Sequence, residues 1–459
     1  MKNMTLEHIA IACGGTYYGS EEAKTTEIQG AVTDSRQVGE DYLFIPVRGA
    51  KVDGHSFIPA VFAQGAAAVL SEEVLTDPAG PYILVDSTLQ ALKDIAEYYR
   101  SQLTIPIVGI AGSVGKTSTK EMIASVLEQK FRVLKTEGNF NNEVGLPLTI
   151  LKIREEHEVA VVEMGISDFG EMHRLAKIAQ PDVCVMTNIG LCHLENLKSR
   201  DGILKAKSEI FDFLKPDGVI VLNGNDDKLS TIKEVKGVIP MRYFVEDGTA
   251  PRYNDAYEVT ASDIENRGLE GMTAVFHFPE GEQDVVIPIP GVHNVYNALA
   301  GACVGRALGL TTGEILDGIA AARTIDGRTN LIHANGMTVI DDCYNANPVS
   351  MRASLDVLEK CEGRRVAVLG DMGELGEDER ELHAQVGAYA AEKGIDVLFC
   401  AGELSKEMAR AAEAGCEVHY FPTREELLPE LLSYVKEGDT ILVKASHFME
   451  YPKIVKALT

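Results

Sequence analysis

The stretch Ile107-Val-Gly-Ile-Ala-Gly-Ser-Val-Gly-Lys-Thr-Ser118 leaves few folds open to this chain. An apolar run without alternation, Ile107–Ala111, reads as a strand buried on both faces of a sheet. It breaks at glycines 112 and 115, and a helical pattern follows, with Ile123, Val126, Leu127 and Phe131 recurring along a helix expected over 119–131. Strand, glycine-rich turn and helix in that order form a phosphate cradle. Glycine lets backbone N–H groups curl around an anion, and the helix N-terminus adds partial positive charge. Gly112, Ser113, Gly115 and Ser118 would line that anion, Lys116 would reach the β- and γ-phosphates, and Thr117 would offer its hydroxyl to Mg²⁺. A tight turn with a solvated lysine is the plainer alternative. The strict G-x-x-x-x-G-K-[ST] spacing needs glycine at 110, where Ile110 stands, so the loop differs from that of switch GTPases and motor ATPases.

The same grammar continues along the chain. Val159–Val162, Val183–Met186 and Val219–Leu222 are short apolar runs ending in polar residues, and Val366–Leu369, Val397–Ala401 and Ile441–Val443 repeat the pattern after Gly327. Ligands of such sheets bind at the carboxyl ends of strands, where Glu163, Thr187 and Asn188 fall. At roughly 100–200 residues per domain, 459 residues make two to four domains. Three blocks separate: 1–102, 103–325 and 326–459. The formal charge of -26 excludes nucleic acid and anionic membrane surfaces as partners, since both need basic faces. No run approaches the ~18 apolar residues of a membrane span. Glu7 and His8 interrupt any signal-peptide core, and the eight cysteines show no CxxC pairing. Reduced thiols and a cytoplasmic location are the expectation.

Singly, Glu163, His193 and Lys207 are ordinary residues: a strand-end carboxylate, a histidine beside an apolar segment and a lysine on the helix expected over 203–213. Their order is less ordinary. Val162-Glu-Met-Gly165, Thr187-Asn-Ile-Gly190 followed by His193-Leu-Glu195, and Ala206-Lys-Ser-Glu-Ile-Phe211 come after the phosphate loop. Together they resemble successive motifs of the Mur ligase superfamily, whose members use ATP to join a carboxylate to an amine. The resemblance implies ATP and two Mg²⁺ ions. One ion would be served by Thr117 and Glu163, the other by His193 and a carbamate formed from CO₂ on Lys207. Asp34-Ser35-Arg36, Phe44, Gly49 and Asp53-Gly-His55 resemble the domain that takes the UDP-sugar half of the substrate, with Ser35 and Arg36 as contacts. Thr136-Glu-Gly-Asn-Phe-Asn-Asn-Glu-Val-Gly-Leu-Pro147 resembles a substrate segment, which implies roles for Asn141 and Asn142, and Thr187 joins them. Gly291–Ala300 resembles the segment that holds adenine, through Asn297. Arg328 stands where the family keeps a phosphate-binding arginine.

Asp341-Asp-Cys-Tyr-Asn-Ala-Asn-Pro-Val-Ser350 is similar to the string of the branch that adds D-alanyl-D-alanine to a UDP-MurNAc-tripeptide. It implies Asp342 and Tyr344 toward the nucleotide, and Asn345 and Asn347 toward the dipeptide. A turn capped by Asn and Ser is the plainer reading. Val368-Leu-Gly-Asp-Met-Gly-Glu-Leu-Gly376 also fits that branch. Lys444-Ala-Ser-His-Phe-Met-Glu450 departs from it, with Ala445 and His447 replacing the usual glycine and Arg or Asn. The implied fold is α/β in three domains: a small UDP-sugar domain, a central P-loop domain with a parallel sheet, and a C-terminal Rossmann-like domain for the dipeptide. A monomer is the expected state. The alternatives are a sibling ligase adding the third amino acid, a folate polyglutamate synthase, a P-loop switch or motor, and a regulatory relative without catalysis. Tyr344–Pro348 tells against the first two, Ile110 against the third, and intact Lys116, Glu163, His193 and Lys207 against the last.

Overall fold

The computed structural model describes residues 1–49, 52–246 and 258–459. By contacts the chain forms two compact units: Met1–Gly109 with Phe131–Cys184 and Ser208–Gly218, and Ile110–Lys130 with Val185–Lys207 and Val219–Thr459. This division cuts across the three blocks read from sequence.

The first unit carries a five-stranded sheet in the order Thr16–Tyr18, Tyr82–Leu84, Ala68–Ser71, Tyr42–Phe44, Gly30–Val32. Only the Thr16–Tyr18 pairing is antiparallel. Phe44, Ile58, Val61, Val69 and Tyr82 form a small core beneath it. The same unit holds the parallel pair Val133–Lys135 and Val159–Glu163. Helix Thr88–Ser101 closes on Arg100, whose guanidinium donates to the carbonyls of Ala179 and Gln180 and to Asp182.

The second unit holds the phosphate-loop helix Lys116–Leu127, which starts and stops earlier than its apolar spacing predicts. Gly115, with φ +83°, caps it at the loop itself, and after Leu127 the backbone tightens into turns, so Phe131 lies beyond it. Val219–Asn223 and Met241–Val245 pair in parallel, and Met241–Val245 then pairs in parallel with Glu258–Asn266. Met272–Phe278 and Gly281–Ile287 add antiparallel strands that a purely parallel expectation lacked. Met272–Phe278 is buried at alternate positions, as a strand with one solvated face should be.

Farther along this unit lies a six-stranded sheet ordered Asn330–Ala334, Met337–Asp341, Asp439–Lys444, Arg364–Gly370, Val397–Ala401, Glu417–Phe421. All pairings but the first are parallel. Side chains alternate between its two faces. Ile340, Ala367, Leu369, Leu398 and Leu442 meet helices Pro348–Glu359, Glu379–Glu392 and Ser405–Ala412 on one face. Val339, Val366, Val368, Phe399 and Ile441 meet Arg424–Tyr434 and Pro452–Leu458 on the other. The doubly wound layering puts Asp341, Gly370 and Lys444 at the carboxyl edge, where such sheets bind ligands.

His383 lies wholly buried under this edge, its Nδ1 2.6 Å from the Glu379 carbonyl and its Nε2 accepting from Met372 N–H at 2.9 Å. Burial lowers its pKa, outweighing the opposite pull of Glu379 and Asp371. The unfolded chain therefore takes up a proton near pH 6.5 that the folded chain refuses, so stability is present above that pH and lost on acidification. The drop in urea midpoint between about pH 7.5 and 5.5 is expected to be smaller in His383→Gln than in the parent. Equal drops would show that His383 is not a source of the acid sensitivity.

Candidate functional site

The phosphate loop is braced from the strand that ends at Met186. Ser113 N–H donates to the Asn188 carbonyl at 3.0 Å, and the Ser113 hydroxyl accepts from Gly190 N–H at 2.9 Å. Asn188 grips Val114 twice, accepting from its N–H at 3.0 Å and donating to its carbonyl at 2.9 Å. The Thr187 hydroxyl donates to the same carbonyl at 2.7 Å. Gly112 sits at φ +151°, and a Cβ there would lie 2.0 Å from Thr187 Oγ1, so only glycine fits. Thr187, expected at the substrate, thus spends its hydroxyl on the loop. Asn188 emerges as an equal brace, signalled in the sequence by its strand-end position and by the Thr187–Gly190 motif but given no role there. Lys116 Nζ donates to the Gly112 carbonyl at 3.0 Å.

Beside the loop lies a cavity of about 170 Å³. Val114, Gly115, Ser118, Thr187 and Asn188 line one side, and Asn223, Tyr243, His293, Tyr296 and Asn297 another. Arg328, Thr329, Asp342, Val349, Ser350, Ala353, Ser354 and Lys444 complete it. It is smaller than the roughly 300–1,000 Å³ of a site for a drug-sized ligand, so it suits one moiety of a nucleotide. Asn297 is held by its neighbours, accepting from Thr119 Oγ1 at 2.7 Å and donating to Asn294 Oδ1 at 2.8 Å. Sequence patterns did not single out Asn223, Tyr243 or Tyr296, which reach the cavity only through tertiary packing.

Arg328 behaves as a cation awaiting an anion. Its guanidinium carbon lies 4.0 Å from the centre of the Tyr344 ring, and Nη2 is 3.3 Å from Thr117 Oγ1. Its Nε is buried without a hydrogen-bond partner among the described residues. A buried orphan donor is costly unless a ligand satisfies it. Tyr344 therefore faces Arg328 and stacks on it.

Asp342 lines the cavity, but its carboxylate is already taken. Lys444 Nζ donates to it at 2.6 Å, Ser354 Oγ at 2.5 Å, and Thr329 N–H at 3.1 Å. Burial pushes this carboxyl up, yet Lys444, Ser354 and Arg328 outweigh burial and hold it below the usual range. Asp341 accepts from Gly327 N–H at 2.9 Å. The two aspartates thus grip the turn that carries Arg328, while Asp342 also borders the cavity.

Asn347 is the N-cap of helix Pro348–Glu359, in a capping box with Ser350. Its Oδ1 accepts from Ser350 N–H at 2.9 Å, and its Nδ2 lies 3.6 Å from Cys192 Sγ. The plainer capping reading of this position therefore holds for the oxygen. Asn345 Oδ1 accepts from Ala346 N–H at 2.9 Å, and its carbonyl accepts from Lys444 at 3.2 Å.

His193 has φ 59°, with Nδ1 2.8 Å from Glu374 Oε2. Lys207 lies in the last turn of helix Arg200–Ser208, which passes into a 3₁₀ turn over Glu209–Phe213, so the single helix expected over 203–213 is broken there. It is 1% exposed, and burial together with the Lys116 charge brings its pKa down to about 7. Burial thus favours the neutral amine over the ammonium far more than in a solvated lysine.

In the first unit, Glu163 ends its strand 3% exposed and accepts from Asn141 Nδ2 at 2.8 Å. Asn142 Oδ1 accepts from Val144 and Gly145 N–H at 3.1 and 2.9 Å, ordering the start of helix Gly145–Ile150. Ser35 opens a 3₁₀ turn capped by Asp34, whose carboxylate also pairs with the exposed Arg36. Among the described residues no three His, Cys, Asp or Glu side chains form a ready-made metal cluster.

Known proteins resemble this chain along its whole length. Sequence models match in three stretches: the Mur ligase family catalytic domain over 27–100, the Mur ligase middle domain over 110–305, and the Mur ligase glutamate ligase domain over 327–447. A Bacillus subtilis protein described as UDP-N-acetylmuramoyl-tripeptide–D-alanyl-D-alanine ligase is 38% identical, covering 100% of this chain and 99% of its own. The Escherichia coli protein of the same description is 32% identical, with 100% and 99% covered. The crystal structure of MurF from Acinetobacter baumannii superposes with a TM-score of 0.87 at 33% identity, covering 99% of this chain and 98% of its own. That of MurF ligase from Thermotoga maritima in complex with ADP gives 0.80 at 30% identity, covering 94% and 96%. With three domain matches in order and similarity along its whole length, the chain belongs to the Mur ligase family.

Proposed function

We propose that this chain is an ATP-dependent amide ligase that adds D-alanyl-D-alanine to the terminal carboxylate of a UDP-MurNAc-tripeptide. The observation that carries the reading is one cavity lined both by the phosphate loop, through Val114, Gly115 and Ser118, and by the Asp341–Ser350 string, through Asp342, Val349 and Ser350. Relatives described by that activity share the chain end to end.

The chemistry starts with the tripeptide carboxylate attacking the γ-phosphorus of ATP, which breaks the bond to the β–γ bridging oxygen. An acyl phosphate and ADP result. The amine of D-Ala-D-Ala then attacks the acyl carbon, a tetrahedral intermediate forms, phosphate leaves and the amine proton is released to solvent. Two anions must meet in the first step, so electrostatic offset dominates catalysis. Lys116, Arg328, whose Nε has no partner among the described residues, and the N-terminus of helix Lys116–Leu127 supply that offset.

The family also implies Mg²⁺, which when bound neutralises phosphate charge. Thr117 and Glu163 offer oxygen donors of the type it takes, and His193 with Lys207 a second set. Lys207 as a cation would not serve. As the neutral amine that its burial favours, it can take up CO₂, and the carbamate then brings both oxygen donors and negative charge. Each of these residues offers donor chemistry of the kind such an ion takes on those terms. The proposal keeps 1–102, 103–325 and 326–459 as the three domains, with Ser35, Arg36, Asn141 and Asn142 for the UDP-sugar substrate and Asn345 with Asn347 Nδ2 for the dipeptide. It includes a cytoplasmic monomer, in keeping with eight free cysteines. No helix among the described residues is long and apolar enough to cross a membrane.

The test is ADP release with ATP, Mg²⁺, UDP-MurNAc-tripeptide and D-Ala-D-Ala, each peptide substrate withheld in turn, and the product weighed. Release requiring both, with a product heavier by the dipeptide less water, is expected. Release indifferent to both would make the chain an ATPase, and a product heavier by a single amino acid would make it a sibling ligase.

A further inference from the structure

The segment Asp371-Met-Gly-Glu374 follows strand Arg364–Gly370, and the phosphate chemistry above leaves it without a task. Its backbone is fixed at three consecutive residues. The Asp371 carbonyl accepts from Ser446 N–H at 3.0 Å, Met372 N–H donates to the buried His383 at 2.9 Å, and Gly373 N–H donates to Ser446 Oγ at 2.9 Å. What this bracing delivers is Glu374, held at φ 62°, with Oε2 2.8 Å from His193 Nδ1. His193 is itself left-handed at φ 59°. Two non-glycine residues in that uncommon conformation, facing each other across 181 residues of chain, mark an arrangement imposed by its surroundings.

The pair adds little stability, since the Glu374 side chain is 67% exposed. Its effect is on the ring. A carboxylate only accepts, so Nδ1 must carry the hydrogen, and in the neutral imidazole Nε2 then holds the lone pair. We propose that Glu374 is the positioning residue of His193, fixing its tautomer and orientation so that Nε2 is presented to a divalent cation. That the cation is the Mg²⁺ of the ligation rests on the reading under Proposed function. The carboxylate comes from the doubly wound C-terminal block and the histidine from the block that holds the phosphate loop. The ring is therefore set only when these two parts of the second unit are docked.

Two readouts on the full-length protein test this. Ring-nitrogen NMR of isotope-labelled histidine, with His193 identified through His193→Gln, reports the tautomer without substrate or metal. The parent is expected to show a protonated Nδ1 and bare Nε2. Glu374→Ala is expected to lose that pattern, while Glu374→Gln, whose amide oxygen still accepts, keeps it. The Mg²⁺ concentration for half-maximal ligation is expected to rise ~10-fold or more in Glu374→Ala and to stay within about threefold in Glu374→Gln, on the scale of carboxylates that support metal-bound histidines. An unchanged ring pattern or an unchanged Mg²⁺ requirement in Glu374→Ala overturns the proposal. If the parent makes no ligation product, the functional reading fails, and the ring measurement still decides whether Glu374 positions His193.

Discussion

Replacing Lys116 by alanine is expected to lower kcat by at least ~10²-fold, the scale of deleting one preorganised electrostatic donor. Lys116 opens helix Lys116–Leu127, and its ammonium is tied to the Gly112 carbonyl at 3.0 Å, so its charge is stationed at the loop before any nucleotide arrives. The loop holds its shape without that side chain: Asn188, Thr187 and Ser113 make the bracing bonds. Loss of activity in Lys116→Ala should thus reflect missing charge rather than a collapsed loop. Steady-state ADP release, with the thermal unfolding midpoint as a control, checks it. Near-normal turnover would remove Lys116 from the chemistry.

Lys207→Ala should be crippled as well, and partly restored by small carboxylates such as acetate. An ammonium in a 1% exposed position beside Lys116 is disfavoured twice, by lost solvation and by like charge, which is why its pKa falls to about 7. The amine that results is nucleophilic toward CO₂. Since deprotonation is its prerequisite, the carbamate should form more readily as pH rises through about 7. The parent enzyme should lose activity when CO₂ is stripped and regain it with bicarbonate. A fully active Lys207→Ala protein, or one indifferent to acetate, would refute the carbamate.

The strands Ile107–Ala111, Val183–Met186 and Val397–Ala401 match their apolar runs residue for residue. Buried parallel strands write themselves into consecutive residues, so a local pattern suffices. The phosphate loop was legible for the same reason: its glycines and Lys116 are neighbours in the chain. The cap at Asn347 spans only four residues and stood in the sequence as the plainer reading, but the string's resemblance pointed Asn347 to the dipeptide instead. Asp342 was not legible. Its place in the string says only that it lies at a strand end. That its carboxylate is consumed by Lys444, 102 residues away, depends on two parallel strands lying side by side. Thr187 likewise bonds the loop because the fold lays its strand end beside Val114, 73 residues earlier, whose carbonyl accepts from its hydroxyl.

The sequence by itself determined the chemistry available, the order of the elements and the family, because these depend on residue types and on spacings within a turn or a strand. The tertiary structure alone decided which charges remain for a ligand. Arg328 Nε has no partner among the described residues while the Asp342 carboxylate is paired with Lys444, burial weakens the hold of Lys207 on its proton, and Glu374 meets His193. Pairings and burial of this kind are made between segments far apart in the chain, and no local pattern encodes which partner a buried charge will find.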